Sequence, residues 1–132
     1  MAISFESYQK WFREYDEQRG LQADAPLESL GHLMEEVGEI ARHILRLEGH
    51  KVGAHGRASL PDATERAEEI AELALELSDA FVFLTKLANA YGIEWDETIR
   101  QAIEKAEVRW DVEAGRQEAA RRRKAHAGGG TE

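Results

Sequence analysis

The chain has 132 residues, with 17 Lys and Arg against 26 Asp and Glu, for a net charge of −9. That length suits a single domain with a core of its own, and a composition 42% hydrophobic and 33% charged is that of a folded chain. The absence of cysteine excludes disulfides, thiolate metal sites and cysteine nucleophiles, the acidic balance argues against a nucleic-acid polymer as partner, and no apolar run reaches the ~18–20 residues of a membrane span.

The N-terminus shows no basic stretch leading into an apolar one, so the expected location is the cytoplasm. Four helical segments are predicted and no strand. In the first, from about Ser4 to Gln18, Phe5, Tyr8, Trp11, Phe12 and Tyr15 recur at helical spacing. The second starts at Pro26, where a missing N–H is tolerated, and runs to about Glu48 on an apolar face that includes Leu30, Met34, Val37 and Ile44. Gly49 stops it, and residues 49–59 (GHKVGAHGRAS) form a glycine-rich loop. The third helix starts near Pro61, with Ser59 and Asp62 in capping-box spacing, and reaches about Tyr91 before Gly92. The fourth starts near Trp95 and carries Ile99, Ala102, Ile103 and Ala106. Residues 1–115 are net −12, whereas 116–132 are net +3 and end in GGG before the last two residues, which predicts a domain over 1–115 and a basic, flexible tail after it.

The chemistry lies in two acidic pairs. Glu36 and Glu39 sit three residues apart on the second helix, and Glu76 and Asp79 do the same on the third, so each pair shares a helix face. Antiparallel packing brings the four together. Without a cation that gathering is unfavourable, because like charges resist joint ionisation. A hard divalent ion offsets the repulsion, and Mg²⁺ or Mn²⁺ suits oxygen donors. Acids three apart also occur on plain solvated faces. Two features favour a site: Asp79 adjoins the apolar run Ala80–Leu84, and Gly38 sits inside a helix at about 1 kcal/mol relative to Ala, suggesting close approach of a helix or ligand. Glu65, Glu69 and Glu72 are expected on a mostly solvated face, with Glu72 the nearest further ligand.

The ordered set Glu35-Glu36-x-x-Glu39, Glu76-x-x-Asp79, the Gly92-Ile93 turn and Lys105-x-x-x-Arg109-Trp110 resembles the MazG-like, all-α nucleoside triphosphate pyrophosphohydrolases, over roughly residues 27–110. The words LMEEVGEIA and ELSDAFVFLTKLANAYGIEWDETI carry the likeness. The resemblance implies a helical bundle of about four helices completed as a homodimer or homotetramer. It implies that Glu36, Glu39, Glu76 and Asp79 hold Mg²⁺, with Mn²⁺ as a substitute. Glu35 would be the accessory catalytic carboxylate, orienting water or assisting a second metal. Lys105 and Arg109 would contact the triphosphate, and Trp11 and His32 are candidates for base contact, with Tyr8 and Tyr15 beside them. The implied reaction cleaves between the α and β phosphates of an NTP or dNTP, giving a monophosphate and pyrophosphate in nucleotide-pool house-cleaning. The interval from Glu39 to Glu76 is longer than in compact relatives, and its loop, with His50, Lys51, His55 and Arg57, is either a lid or a connector.

Three other readings remain. Phosphoribosyl-ATP pyrophosphohydrolases share a similar helical site. A non-catalytic helical binding or dimerisation module would use the same amphipathic helices, although it has no need of an intact acidic quartet. A carboxylate di-iron bundle would normally present two Glu-x-x-His pairs. Here Arg42 is three residues after Glu39, His43 is four after it, and the third helix has no histidine.

Overall fold

The computed structural model describes residues 2–21, 25–51 and 59–128. Every regular element among them is helical: α1 (Phe5–Gln18), α2 (Pro26–Leu47), α3 (Ala63–Ala90), α4 (Trp95–Arg109) and α5 (Val112–Gly128). The fold is all-α, as periodicity predicts, with a fifth helix where the sequence suggests only a tail.

Local chemistry sets the helix ends. Ser4 caps α1: its hydroxyl accepts from the Ser7 N–H at 3.1 Å, and Ser7 Oγ accepts from the Ser4 N–H at 2.9 Å. Pro26 fills the first position of α2. The capping box of α3 pairs Asp62 with Glu65, one step along from the Ser59–Asp62 pair that spacing suggests. Asp62 Oδ1 accepts from the Thr64 and Glu65 N–H groups, and Glu65 Oε2 accepts from the Asp62 N–H, each at 2.9 Å. Gly49 closes α2 at φ +72°, and a Cβ there would stand 3.0 Å from the Leu60 nitrogen and 3.1 Å from the Ser59 carbonyl carbon. The two ends of the 49–59 loop therefore touch, and only glycine fits between them. His55 and Arg57 of the lid reading lie outside the described residues.

Residues up to Glu94 form one compact unit, and residues from Trp95 form a second. In the first unit α2 and α3 pack as an antiparallel hairpin, joined by His43 to Glu69 near one end and His32 on Phe83 near the other. α1 packs on the C-terminal half of α3. Phe5 meets Phe81 edge-on at 6.0 Å, Tyr8 stacks on Phe81 at 5.5 Å, and Lys86 lies over Phe12 while pairing with Asp16 at 2.9 Å. Gln9 is fully buried and donates to Asn89 Oδ1 at 3.2 Å and to the Ile93 carbonyl at 2.9 Å. These bonds tie α1 to the turn after α3. In the second unit Arg100 pairs with Glu97 and Glu104 along α4, and Asp111 Oδ1 accepts from the Ala114 N–H at the start of α5.

Two expectations can be set against the described residues. A Cβ at Gly38 would meet nothing within 4 Å among the described residues, so no described helix approaches it closely and the surface there is open to a partner or ligand. Gly38 lies on the side of α2 turned away from α3. Asp79 is exposed rather than enclosed by the apolar run that follows it. Phe81 turns to α1 and Phe83 to α2, so the run lines the flanks of α3 and leaves the Asp79 face open.

Candidate metal centre

The α2–α3 hairpin brings the predicted acids to one flank. Single donor oxygens of Glu36, Glu76 and Asp79 all lie within 4.8 Å of one another. Donor atoms of Glu39, His43 and Glu76 form a second group within the same limit. Glu76 belongs to both, so the four acids and His43 make one continuous cluster across the two helices. The Glu36 carboxyl is held above the ordinary carboxylate range, first by desolvation, then by a hydrogen bond and charge from Glu76, with Asp79 and Glu35 adding repulsion. A carboxyl pushed upward by desolvation and by neighbouring acids marks a place where a cation is favoured. The donors grouped with Asp79, those of Glu36 and Glu76, are carboxylate oxygens, a set that suits a hard divalent ion such as Mg²⁺ or Mn²⁺.

The neighbouring residues divide by role. Glu35 is exposed and accepts from His32 Nδ1 at 2.9 Å, while His32 Nε2 stands 3.9 Å from Glu28. The His32 ring stacks on Phe83 at 5.2 Å. His32 is thus fixed beside the cluster by an acid on either side and an aromatic face. Glu39 is ion-paired with Arg42, one turn along α2.

Tyr8 is the aromatic of α1 that reaches the acidic flank. Its hydroxyl is held above its usual value of 10.0 by partial burial and then by the Asp79 charge. Trp11 stacks on Tyr15 at 5.0 Å and on Tyr8 at 6.1 Å, with half its surface exposed. Lys105 and Arg109 stand exposed, one turn apart on α4 in the second unit. Glu104, a possible surface partner for Lys105, is taken by Arg100.

Sequence reasoning missed two members of the cluster. His43 is 3% exposed, and its Nδ1 donates to Glu69 Oε1 at 2.6 Å. Glu69 is half-buried rather than solvated, and Arg46 approaches the same oxygen at 3.4 Å. The signal was present: His43 is seven residues after Glu36, and Glu69 is seven before Glu76. Two helical turns return nearly to the same face.

Residues 25–111, which include α2, α3 and α4, match the MazG nucleotide pyrophosphohydrolase domain, and the chain belongs to that family. It is also similar to the uncharacterized protein YvdC of Bacillus subtilis (strain 168), with 32% identity over 105 residues, 78% of this chain and 92% of that one. No solved structure matches it. No helix among the described residues is long and apolar enough to cross a membrane.

Proposed function

We propose that the protein is a Mg²⁺-dependent nucleoside triphosphate pyrophosphohydrolase that cleaves the α–β phosphate bond of an NTP or dNTP in nucleotide-pool house-cleaning. The observation that carries this reading is the convergence of Glu36, Glu76 and Asp79 oxygens across two helices, with the Glu36 carboxyl pushed above the ordinary carboxylate range. The family match supports a nucleotide as substrate.

In this reading Glu36, Glu39, Glu76 and Asp79 hold the ion. A divalent ion there neutralises phosphate charge and makes a bound water more acidic, so no Ser, Cys or His nucleophile is needed. Glu35, exposed beside Glu36, accepts the proton of the attacking water or holds that water by hydrogen bond. His32 fixes Glu35 through Nδ1 and presents its ring edge at the same flank. Lys105 and Arg109 share a face of α4 and grip phosphate oxygens, Arg109 with its planar fork. Trp11 offers an exposed ring for the base. The catalytic domain spans 1–115, and 116–132 is an appended basic segment.

The active form is a homodimer or a pair of such dimers. On the flank of the α2–α3 hairpin away from the acids, Leu30, Met34, Val37 and Ile44 of α2 line up with Ile70, Leu77 and Leu84 of α3. All are exposed, Leu84 at 40% being the most covered. A contiguous apolar flank of this kind fits a second copy. The open surface at Gly31 and Gly38, on the neighbouring side of α2, lets a partner helix approach closely.

The deciding experiment is pyrophosphate release from a panel of standard and modified NTPs and dNTPs with Mg²⁺, Mn²⁺ or EDTA. The expected result is metal-dependent release with one monophosphate per pyrophosphate. Silence across the panel with turnover of phosphoribosyl-ATP would move the activity to that substrate. Silence with both would leave a binding module.

A further inference from the structure

Among the described residues, His43 is the buried group at the cluster that the proposed chemistry leaves idle. Its Nδ1 lies 2.6 Å from Glu69 Oε1, and that oxygen also has the Arg46 guanidinium at 3.4 Å. A carboxylate beside a cation accepts and does not donate, so the hydrogen sits on Nδ1. Nε2 is then the ring nitrogen available to a cation. Nε2 has no hydrogen-bond partner among the described residues, although the side chain is almost wholly buried. It points into the acids, 3.8 Å from Glu76 Oε1, a distance beyond hydrogen-bond reach. A buried ring nitrogen without a hydrogen-bond partner, aimed at a carboxylate, leaves polar capacity unused. A cation between them turns both into ligands.

We propose that His43 is a metal ligand, its Nε2 joining Glu39 and Glu76 in a mixed nitrogen–oxygen cation site that adjoins the all-oxygen group of Glu36, Glu76 and Asp79. The donor atoms of the trio already lie within 4.8 Å of one another. Glu69 is the backing carboxylate: it fixes the ring's orientation and leaves Nε2 as the donor, as acids behind metal-bound histidines do. The proposal rests on the reading of the acids as a cation site and adds a ligand and a preference to it. An imidazole donor favours Mn²⁺ over Mg²⁺ and suits Co²⁺ or Zn²⁺ better still, whereas carboxylates alone suit Mg²⁺. Arg42, paired with Glu39, must yield that acid when the site fills.

The test is pulsed electron paramagnetic resonance of the full-length protein loaded with Mn²⁺, which reads ¹⁴N coupling from a ligating imidazole, together with Mn²⁺ and Mg²⁺ titrations. His43→Asn is the chosen variant, because its amide can still donate to Glu69 while Nε2 is gone. The expected result is ¹⁴N coupling in the wild type that disappears in His43→Asn. Mn²⁺ affinity should fall about tenfold or more, and Mg²⁺ affinity should change much less. Should His43→Asn not fold, a variant with His32, His50, His55 and His126 all changed to Asn leaves His43 as the sole histidine, and it must keep the coupling. Mn²⁺ bound to the wild type without ¹⁴N coupling overturns the role of His43 and leaves the carboxylate site standing. Coupling that survives in His43→Asn, or that vanishes from the His43-only protein, also overturns it. No binding of either ion by the wild type overturns both readings.

Discussion

At the scale of single residues, Glu36 links the electrostatics of the cluster to a stability measurement. Its carboxyl is held above the usual 4.5 by desolvation and by its acidic neighbours. The folded protein therefore keeps a proton that the unfolded chain releases earlier. The stability this group contributes is fully present below about pH 4.5 and is lost as pH rises through the folded value. In EDTA at neutral pH, Glu36→Gln should melt above the wild type, and the gap should close as pH falls toward the ordinary carboxylate range. With saturating Mg²⁺ the order should reverse, since only the wild type gains from the ion. Thermal melts of the two proteins across pH, with and without metal, make the check, and equal Tm values in EDTA would contradict it. Turnover should respond as well. Removing a group behind a metal ligand commonly costs 10–100-fold, so losing a ligand in Glu36→Ala or Asp79→Ala should cost at least about 100-fold in kcat with the helical signal intact. Full activity in both folded variants would remove these acids from the site.

At the scale of elements, the α2–α3 hairpin depends on its ends. Gly49→Ala forces a non-glycine residue to φ +72° against the Leu60 and Ser59 backbone. That substitution should destabilise the protein by about 1–2 kcal/mol, and by more if the loop cannot yield. Denaturant melts would show it, and an unchanged midpoint would mean the loop ends are not held together. The aromatic face of α1 carries a separate test. If Trp11 stacks on the base, Trp11→Ala loses about 1 kcal/mol of binding, or roughly a fivefold rise in KM, with kcat little changed. An unaltered KM would hand that role to Tyr8, whose hydroxyl senses Asp79.

The elements also show what a sequence can disclose. The two acidic pairs were legible because i, i+3 spacing puts both members on one face of any helix. The helix boundaries were legible from Ser4, Pro26, Gly49 and Gly92. His43 and Glu69 were not, because their place depends on which stripe of each amphipathic helix meets the other. Asp79 was misread for the same reason: an apolar neighbour in sequence points a hundred degrees away around the axis. No described residue approaches Gly38 closely, so the intrinsic cost of a helical glycine does not name its partner.

At the scale of the whole molecule, the acids and the exposed apolar side chains occupy opposite flanks of one hairpin, and each asks for something from outside the chain. The acidic flank asks for a cation. The other flank exposes Met34 and Val37 in the middle of an apolar stripe, with Ile70, Leu77 and Leu84 alongside. A single charge at its centre discriminates a dimer face from a merely greasy surface. Met34→Glu adds a carboxylate to a side chain that is already exposed, so a monomeric protein should tolerate it and even gain solubility. In a dimer it buries an unpaired charge at a packed interface, at several kcal/mol. Light scattering at micromolar concentration should therefore give a wild-type mass of two chains or a multiple of two, and a Met34→Glu mass of one. Pyrophosphate release should fall with the mass if the nucleotide pocket is shared between copies, and survive if each hairpin works alone. A wild-type monomer that turns over nucleotide would show the apolar flank to be unnecessary for the chemistry.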